Sequence, residues 1–333
     1  MTTTKASTAE DAQGVLPLLR RVDTGDLWRG GGLVIVMILL VIAGAITRPD
    51  AFLTGNNLFN ILSLGAVIGV VTVGMTFVII GGQIDLSVGA LVALASVWST
   101  TLATQQFGFW GMVFSALVVG AGAGLVNGVL IAYGKLVSFI VTLAMLVSAR
   151  GLAEQISNRQ PQVVSASEFR TIANGSVLGI PILVLMLAAV AIIGWVVLNR
   201  TTFGRRTFAI GGNAEAARLA GVRVDRHLMA LFGLSGLCCG IAAIMLTART
   251  TTGSSTHGQL YELDAIAAVI IGGTVLTGGR GSLVGSMLGV LVFTTITNLF
   301  ILNGLSTPIQ NIAKGVIIVV AVLIQRRASL RGT

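Results

Sequence analysis

Charge is what this sequence lacks most. Of its 333 residues only 10% are Asp, Glu, Lys or Arg, while 54% are apolar and the mean hydropathy is +0.94. A soluble domain carries about a quarter of its residues charged, so no water-facing surface of ordinary composition can be built here. Cysteine is nearly missing: Cys238 and Cys239 are the two present. Neighbours on a helix point about 100° apart and are badly placed to bridge. They read as small core residues, with no disulfide framework and no metal site. The chain has three lysines, and Gly134-Lys135 is followed by leucine, so no Gly-x-x-x-x-Gly-Lys-[Ser/Thr] phosphate loop exists. This chain is expected to bind no cofactor and to hydrolyse no ATP. The first 30 residues are polar and lack the small-residue cleavage pattern of a secretory signal; residues 1–30 read as a cytoplasmic tail.

What the chain does have is long apolar runs of about 20 residues, the helix length that spans about 30 Å of hydrocarbon. The expected fold is all-α, a polytopic membrane protein with about ten transmembrane helices. The expected spans cover about 32–47, 61–80, 86–103, 109–132, 139–152, 178–198, 228–247, 265–276, 283–302 and 309–324, the fifth and eighth looking short. Glycine is abundant, at 43 residues. In lipid, small residues let helix backbones approach closely and packing replaces the missing hydrophobic drive. Gly120-Ala-Gly-Ala-Gly124 is such a surface.

The net charge of +9 sorts by membrane side, which removes a nucleic-acid reading. With the N-terminus inside, Lys5, Arg20, Arg21, Arg29, Lys135, Arg200, Arg205, Arg206, Arg218, Arg223, Arg226, Arg280, Arg326, Arg327 and Arg331 are cytoplasmic. Arg48, Arg150, Arg159, Arg170, Arg249 and Lys314 are not, a ratio of fifteen to six. The positive-inside rule therefore places both termini in the cytoplasm. This gives a permease region over 31–325, a cytoplasmic loop at about 200–226, and a basic tail at 326–333. The opposite loop at about 157–174 has room for a short helix. Val78–Gly82 before Asp85–Gly89 is echoed by Val269–Gly273 before Gly281–Gly285, and glycine-interrupted spans repeated in two halves point to a translocation path.

The 200–226 loop contains a helix with its own punctuation. Asn213 suits the N-cap, Glu215 meets the positive end of the helix dipole, and Gly221 suits a left-handed C′ residue. Ala216, Ala217 and Arg218 lie between. A helix this short is unstable alone and must pack on something.

Here the sequence resembles a known family. Glu215-Ala216-Ala217, three residues, then Gly221 is similar to the cytoplasmic loop of ABC importer permeases. Gly204-Arg-Arg, Ala209-Ile-Gly-Gly-Asn213, Gly74–Gly89, Tyr261–Gly273 and Thr277–Ser282 resemble the permeases of ribose-type monosaccharide importers, in order over about 55–325. The resemblance implies a separate ABC ATPase subunit that binds ATP and docks on Asn213, Glu215, Ala216, Ala217, Arg218 and Gly221. It also implies an extracytoplasmic sugar-binding protein and a permease homodimer.

Asp85 is the one acid near the middle of an apolar stretch, and ionised groups in membrane helices are costly and tend to be functional. Structurally, Gly81-Gly82 breaks the helix and Asp85 caps the next one. A neutral, hydroxyl-rich solute needs weak, replaceable hydrogen bonds. Thr72, Thr76, Gln83, Asp85, Ser87, Asn127 and Asn298 are the candidates for its path. Glu262, Asp264 and Arg280 bracket the eighth span as caps or topology markers. His227 and His257 read as solvated loop residues. Gly233-Leu-Ser-Gly236 matches the nucleophile motif of rhomboid-like intramembrane proteases, but such a serine needs a histidine base within reach, and neither histidine falls inside an expected span. The rival transport reading is an ion-coupled secondary carrier with Asp85 as the coupling group; it gives the capped helix no role.

Overall fold

The computed structural model describes residues 24–330; the expected tail over 1–30 lies almost wholly outside them. The described residues are helical almost throughout: α1 (Thr24–Thr47), α2 (Pro49–Phe52), α3 (Gly55–Ile80), α4 (Val88–Ser99), α5 (Leu102–Gln105), α6 (Gly108–Ala132), α7 (Ser138–Ser157) and α8 (Glu168–Asn174) come first. Then follow α9 (Ile182–Arg200), α10 (Thr202–Gly212), α11 (Ala214–Leu219), α12 (Val224–Thr250), α13 (Tyr261–Ile271), α14 (Leu283–Leu302) and α15 (Thr307–Leu330). Four two-residue strands, β1 (Gln162–Val163), β2 (Ser176–Val177), β3 (Ile180–Pro181) and β4 (Thr252–Gly253), pair antiparallel as β1 with β4 and β2 with β3.

Among the described residues six helices are long and apolar enough to cross a membrane: α3, α6, α7, α9, α12 and α14. The molecule is a polytopic helical membrane protein. α3 is its axis. From Gly65 to Ile80 every residue of α3 is buried, which matches a helix hydrophobic all round. α12, α14, α9 and α13 pack around it.

α6 and α12 pack closely along their length, and glycine is the reason. A Cβ on Gly120 would run into the backbone of Gly236, one on Gly124 into that of Phe232 and one on Gly240 into that of Ala116, whereas Gly122 faces open space. The expected small-residue surface is thus one stripe of α6 set on one stripe of α12.

Of the two spans expected to be short, the eighth is short and the fifth is not. The fifth expected span is a full 20-residue helix, α7; the short ones are α4, with 12 residues, and α13, with 11. α7 continues through its charged end because the Arg150 guanidinium donates to the carbonyl oxygens of Ser255 and His257, the latter at 2.8 Å. α4 is short because Gly82, at φ +75°, turns the chain out of α3 and the backbone stays irregular to Ser87. The loop between α7 and α9 carries α8, the short helix that its length allowed.

Candidate functional site

α11 follows α10 after one residue. The side chain of Asn213 accepts a hydrogen bond from the Ala216 amide at 2.9 Å, Glu215 pairs with Arg218 at 2.9 Å, and Gly221 takes φ +83°. Each end signal read from the sequence is thus realised in the backbone. Ala217 is buried against Ile210 and Val224 and anchors the helix. The outward face carries Glu215, Arg218 and Leu219, the last 83% exposed.

α10 connects this helix to the protein interior through bare backbone. A Cβ on Gly211 would overlap the Ile80 carbonyl oxygen, and one on Gly278 would lie 2.6 Å from the Gly82 Cα. The Gly279 amide donates to that same Ile80 oxygen at 2.9 Å. The C-terminus of α10, the end of α3 and the loop between α13 and α14 therefore meet at one point. The two echoed segments share their local geometry as well. Gly82 after α3 and Gly273 after α13 both adopt positive φ, +75° and +86°, and each follows a Gly at the C-cap.

The irregular stretch between α3 and α4 holds the buried acid. Asp85 accepts from the Ser87 amide at 3.0 Å and the Ser87 hydroxyl at 2.6 Å through one oxygen, and from the Ser235 hydroxyl at 2.9 Å through the other. Asn127 donates to Ser87 Oγ at 2.9 Å, while its own Oδ1 is buried without a partner. Three neutral donors on one carboxylate, with none of its ion pairs among the described residues, describe a tie between the chain break, α6 and α12. Donation to Asp85 also accounts for Ser235, which faces no histidine.

The structure thus gathers Asp85, Ser87 and Asn127 and leaves the other path candidates elsewhere. Thr72 and Thr76 bond back to the carbonyls of Ile68 and Thr72 on their own helix, at 2.8 and 2.6 Å. Gln83 is half-buried in the break. Asn298 makes a reciprocal amide pair with Asn57, at 2.8 and 3.1 Å, at the far end of α3.

Both histidines are buried rather than solvated, a correction to the sequence reading. His227 lies in the first turn of α12, 2.8 Å from Thr207 Oγ1 and against the Phe203 ring at 4.4 Å. His257 Nδ1 lies 2.8 Å from Ser96 Oγ. That hydroxyl already accepts from Thr247 Oγ1 at 3.3 Å and from the Ser254 amide at 3.4 Å. Its single proton therefore goes to Nδ1, and the imidazole carries its own proton on Nε2, toward Thr250. Burial, with the Arg150 guanidinium nearby, holds the His257 pKa down to about 4. Sequence spacing could not show this, because Ser96 and His257 are 161 residues apart. On the same side Asp264 pairs with Lys314 at 3.0 Å, and that ammonium sits 5.1 Å from the Phe293 ring centre.

Over residues 57–323 the chain matches the family described as branched-chain amino acid transport system / permease component. It is 40% identical to the ribose import permease protein RbsC of Bacillus subtilis (strain 168) over 305 residues, 88% of this chain and 91% of that one. It is 38% identical to RbsC of Escherichia coli (strain K12) over 297 residues, 88% and 92% of the two chains. It is 36% identical to the L-arabinose ABC transporter permease protein AraH of Azospirillum brasilense over 334 residues, 97% of each. No solved structure matches.

Proposed function

Because the chain belongs to the branched-chain amino acid transport system / permease component family, we propose that it is the membrane-spanning subunit of an ATP-driven importer for a monosaccharide or similar polyol, resident in the inner (plasma) membrane. Its relatives named for ribose and arabinose import support the solute class. Ten spans are assigned to α1, α3, α4, α6, α7, α9, α12, α13, α14 and α15, with both termini cytoplasmic. In this topology α11 faces the cytoplasm, as the distribution of Lys and Arg requires.

The observation that carries the reading is α11 itself: a capped helix of six residues with an uncovered leucine, joined to the core through glycine backbone. A separate ABC ATPase subunit docks on Asn213, Glu215, Ala216, Ala217, Arg218 and Gly221, with Leu219 at the centre of the contact. ATP is bound and hydrolysed there. This chain binds no cofactor and is not an enzyme. Movement of α11 is transmitted at Gly211 to the end of α3 and the loop after α13, so the two interrupted segments shift together and access alternates between two states. The path passes the break at Gln83–Ser87, close to a second copy of the chain, and an extracytoplasmic binding protein delivers the sugar. Thr72, Thr76 and Asn298 lie on the helices that frame the path, and Asp85, Ser87 and Asn127 brace its wall. An ion-coupled carrier would need Asp85 to exchange an ion, whereas its carboxylate is already satisfied by three donors.

The test is copurification of ATPase activity from mild detergent. Native protein should bring down an ATPase and Gly221→Asp should lose it. Native protein that brings down none under any gentle condition would remove the importer reading.

A further inference from the structure

We propose that the cytoplasmic half of this permease carries a specific site for an anionic phospholipid. One acyl chain lies in a groove between α6, α9 and α12, and the headgroup lies against Arg200, Arg205 and Arg206. The groove has a volume of about 400 Å³, and Ala121, Leu125, Val197, Phe203, Leu234 and Leu237 are among its residues, all of them apolar. Ala230, Gly233, Leu234 and Leu237 of α12 line it over two turns, so it runs along the helix axis as an acyl chain does. It opens between faces that already meet hydrocarbon: Ile192, Ile193 and Val196 of α9 and Leu125, Val126 and Val129 of α6 are all exposed.

Charge at one end selects the occupant. Arg200 is one turn beyond Val197 and stacks on Trp195, with 5.3 Å from guanidinium carbon to ring centre. Arg205 and Arg206 occupy the turn after Phe203, and all three arginines are exposed. None of them has a carboxylate within ion-pair distance among the described residues. An apolar slot between spans, closed at the cytoplasmic surface by unpaired arginines, fits a phosphate headgroup with its acyl chain. A zwitterionic headgroup would supply the phosphate but add a competing cation. Phe203, at the mouth, packs on His227 and lies 6.2 Å from Phe77 of α3. The lipid thus rests on the elbow that leads through α10 to α11. Only the leaflet assignment rests on the proposed topology; the binding itself is read without an ATPase or a sugar, so the two readings fail separately.

The experiment uses full-length protein purified in detergent and re-lipidated with phosphatidylglycerol or phosphatidylcholine. It is read by lipid adducts in native mass spectrometry and by the shift in thermal unfolding. Phosphatidylglycerol should give discrete adducts and raise the midpoint by several degrees, and phosphatidylcholine should do neither. The triple variant R200Q/R205Q/R206Q should lose at least half of the adduct. The matching Arg→Lys triple should retain it, which separates charge from fold. Ala230→Phe, which fills the groove, should lose it too. Equal binding of both lipids overturns the proposal. So does unchanged phosphatidylglycerol binding in both the Gln and the Phe variants. A groove-filling variant that instead converts a dimer to a monomer would mark the groove as a contact between copies and would equally overturn it.

Discussion

Ser235 on α12 donates a 2.9 Å hydrogen bond to Asp85 in the break between α3 and α4, 150 residues away in sequence. The acid is completely buried, so each donor it holds counts. Removing the Ser235 hydroxyl leaves a carboxylate short of a partner, and an unsatisfied buried group costs about 1–3 kcal/mol, more when charged. Ser235→Ala should lower the thermal midpoint of the purified protein. Asp85→Asn should cost less, since its amide can donate to the same hydroxyl. An Asn variant that folds normally but loses all transport would revive the ion-coupled reading.

Gly211→Ala should be severe and Gly212→Ala mild. The first places a methyl group on the Ile80 carbonyl oxygen, while the second meets open space. Backbone cannot rotate away as a side chain can, so overpacking here should reach about 3 kcal/mol, the upper end of the usual range. Equal thermal midpoints for the two variants would show that the junction is looser than its geometry.

Leu219→Asp should abolish ATPase copurification while leaving the folding stability within about 0.5 kcal/mol of native, as expected for an exposed position. Asn213→Ala should weaken the association less, because the lost cap costs about 1 kcal/mol. Retention of the ATPase by Leu219→Asp would move the docking surface off α11.

Acid should loosen the loop between α12 and α13. The folded-state pKa of His257, about 4, lies below the ordinary 6.5. The unfolded chain therefore binds the proton first as pH falls. The contribution of neutral His257 is complete above about 6.5 and drains away as pH drops toward about 4. Carboxylates titrate in the same window, so the readout is a difference: the midpoint of native protein should fall more between pH 7 and 5 than that of His257→Asn. Parallel curves would mean that the imidazole is not held neutral.

Much of this architecture could be read from residues near one another in the chain. α11 was legible because Asn213 and Gly221 are local signals, and the break after α3 was legible because Gly81-Gly82 interrupts an apolar run. What could not be read was any property set by contact across the fold. His257 looked solvated because nothing within ten residues suggests Ser96. Ser235 looked like a motif fragment because its acceptor lies on another segment. α7 looked short because Arg150 reads as a terminus until the carbonyls that satisfy it are in place.

The junction at Gly82, Gly211 and Gly278 has a mechanical consequence. A joint faced with side chains yields, because rotamers give way before backbones do. This one is backbone against backbone, so it has no slack to take up. In the proposed cycle a displacement of α11 would pass to the ends of α3 and α13 with no side-chain rotation to absorb it, and any substitution that adds an atom there trades stiffness for strain.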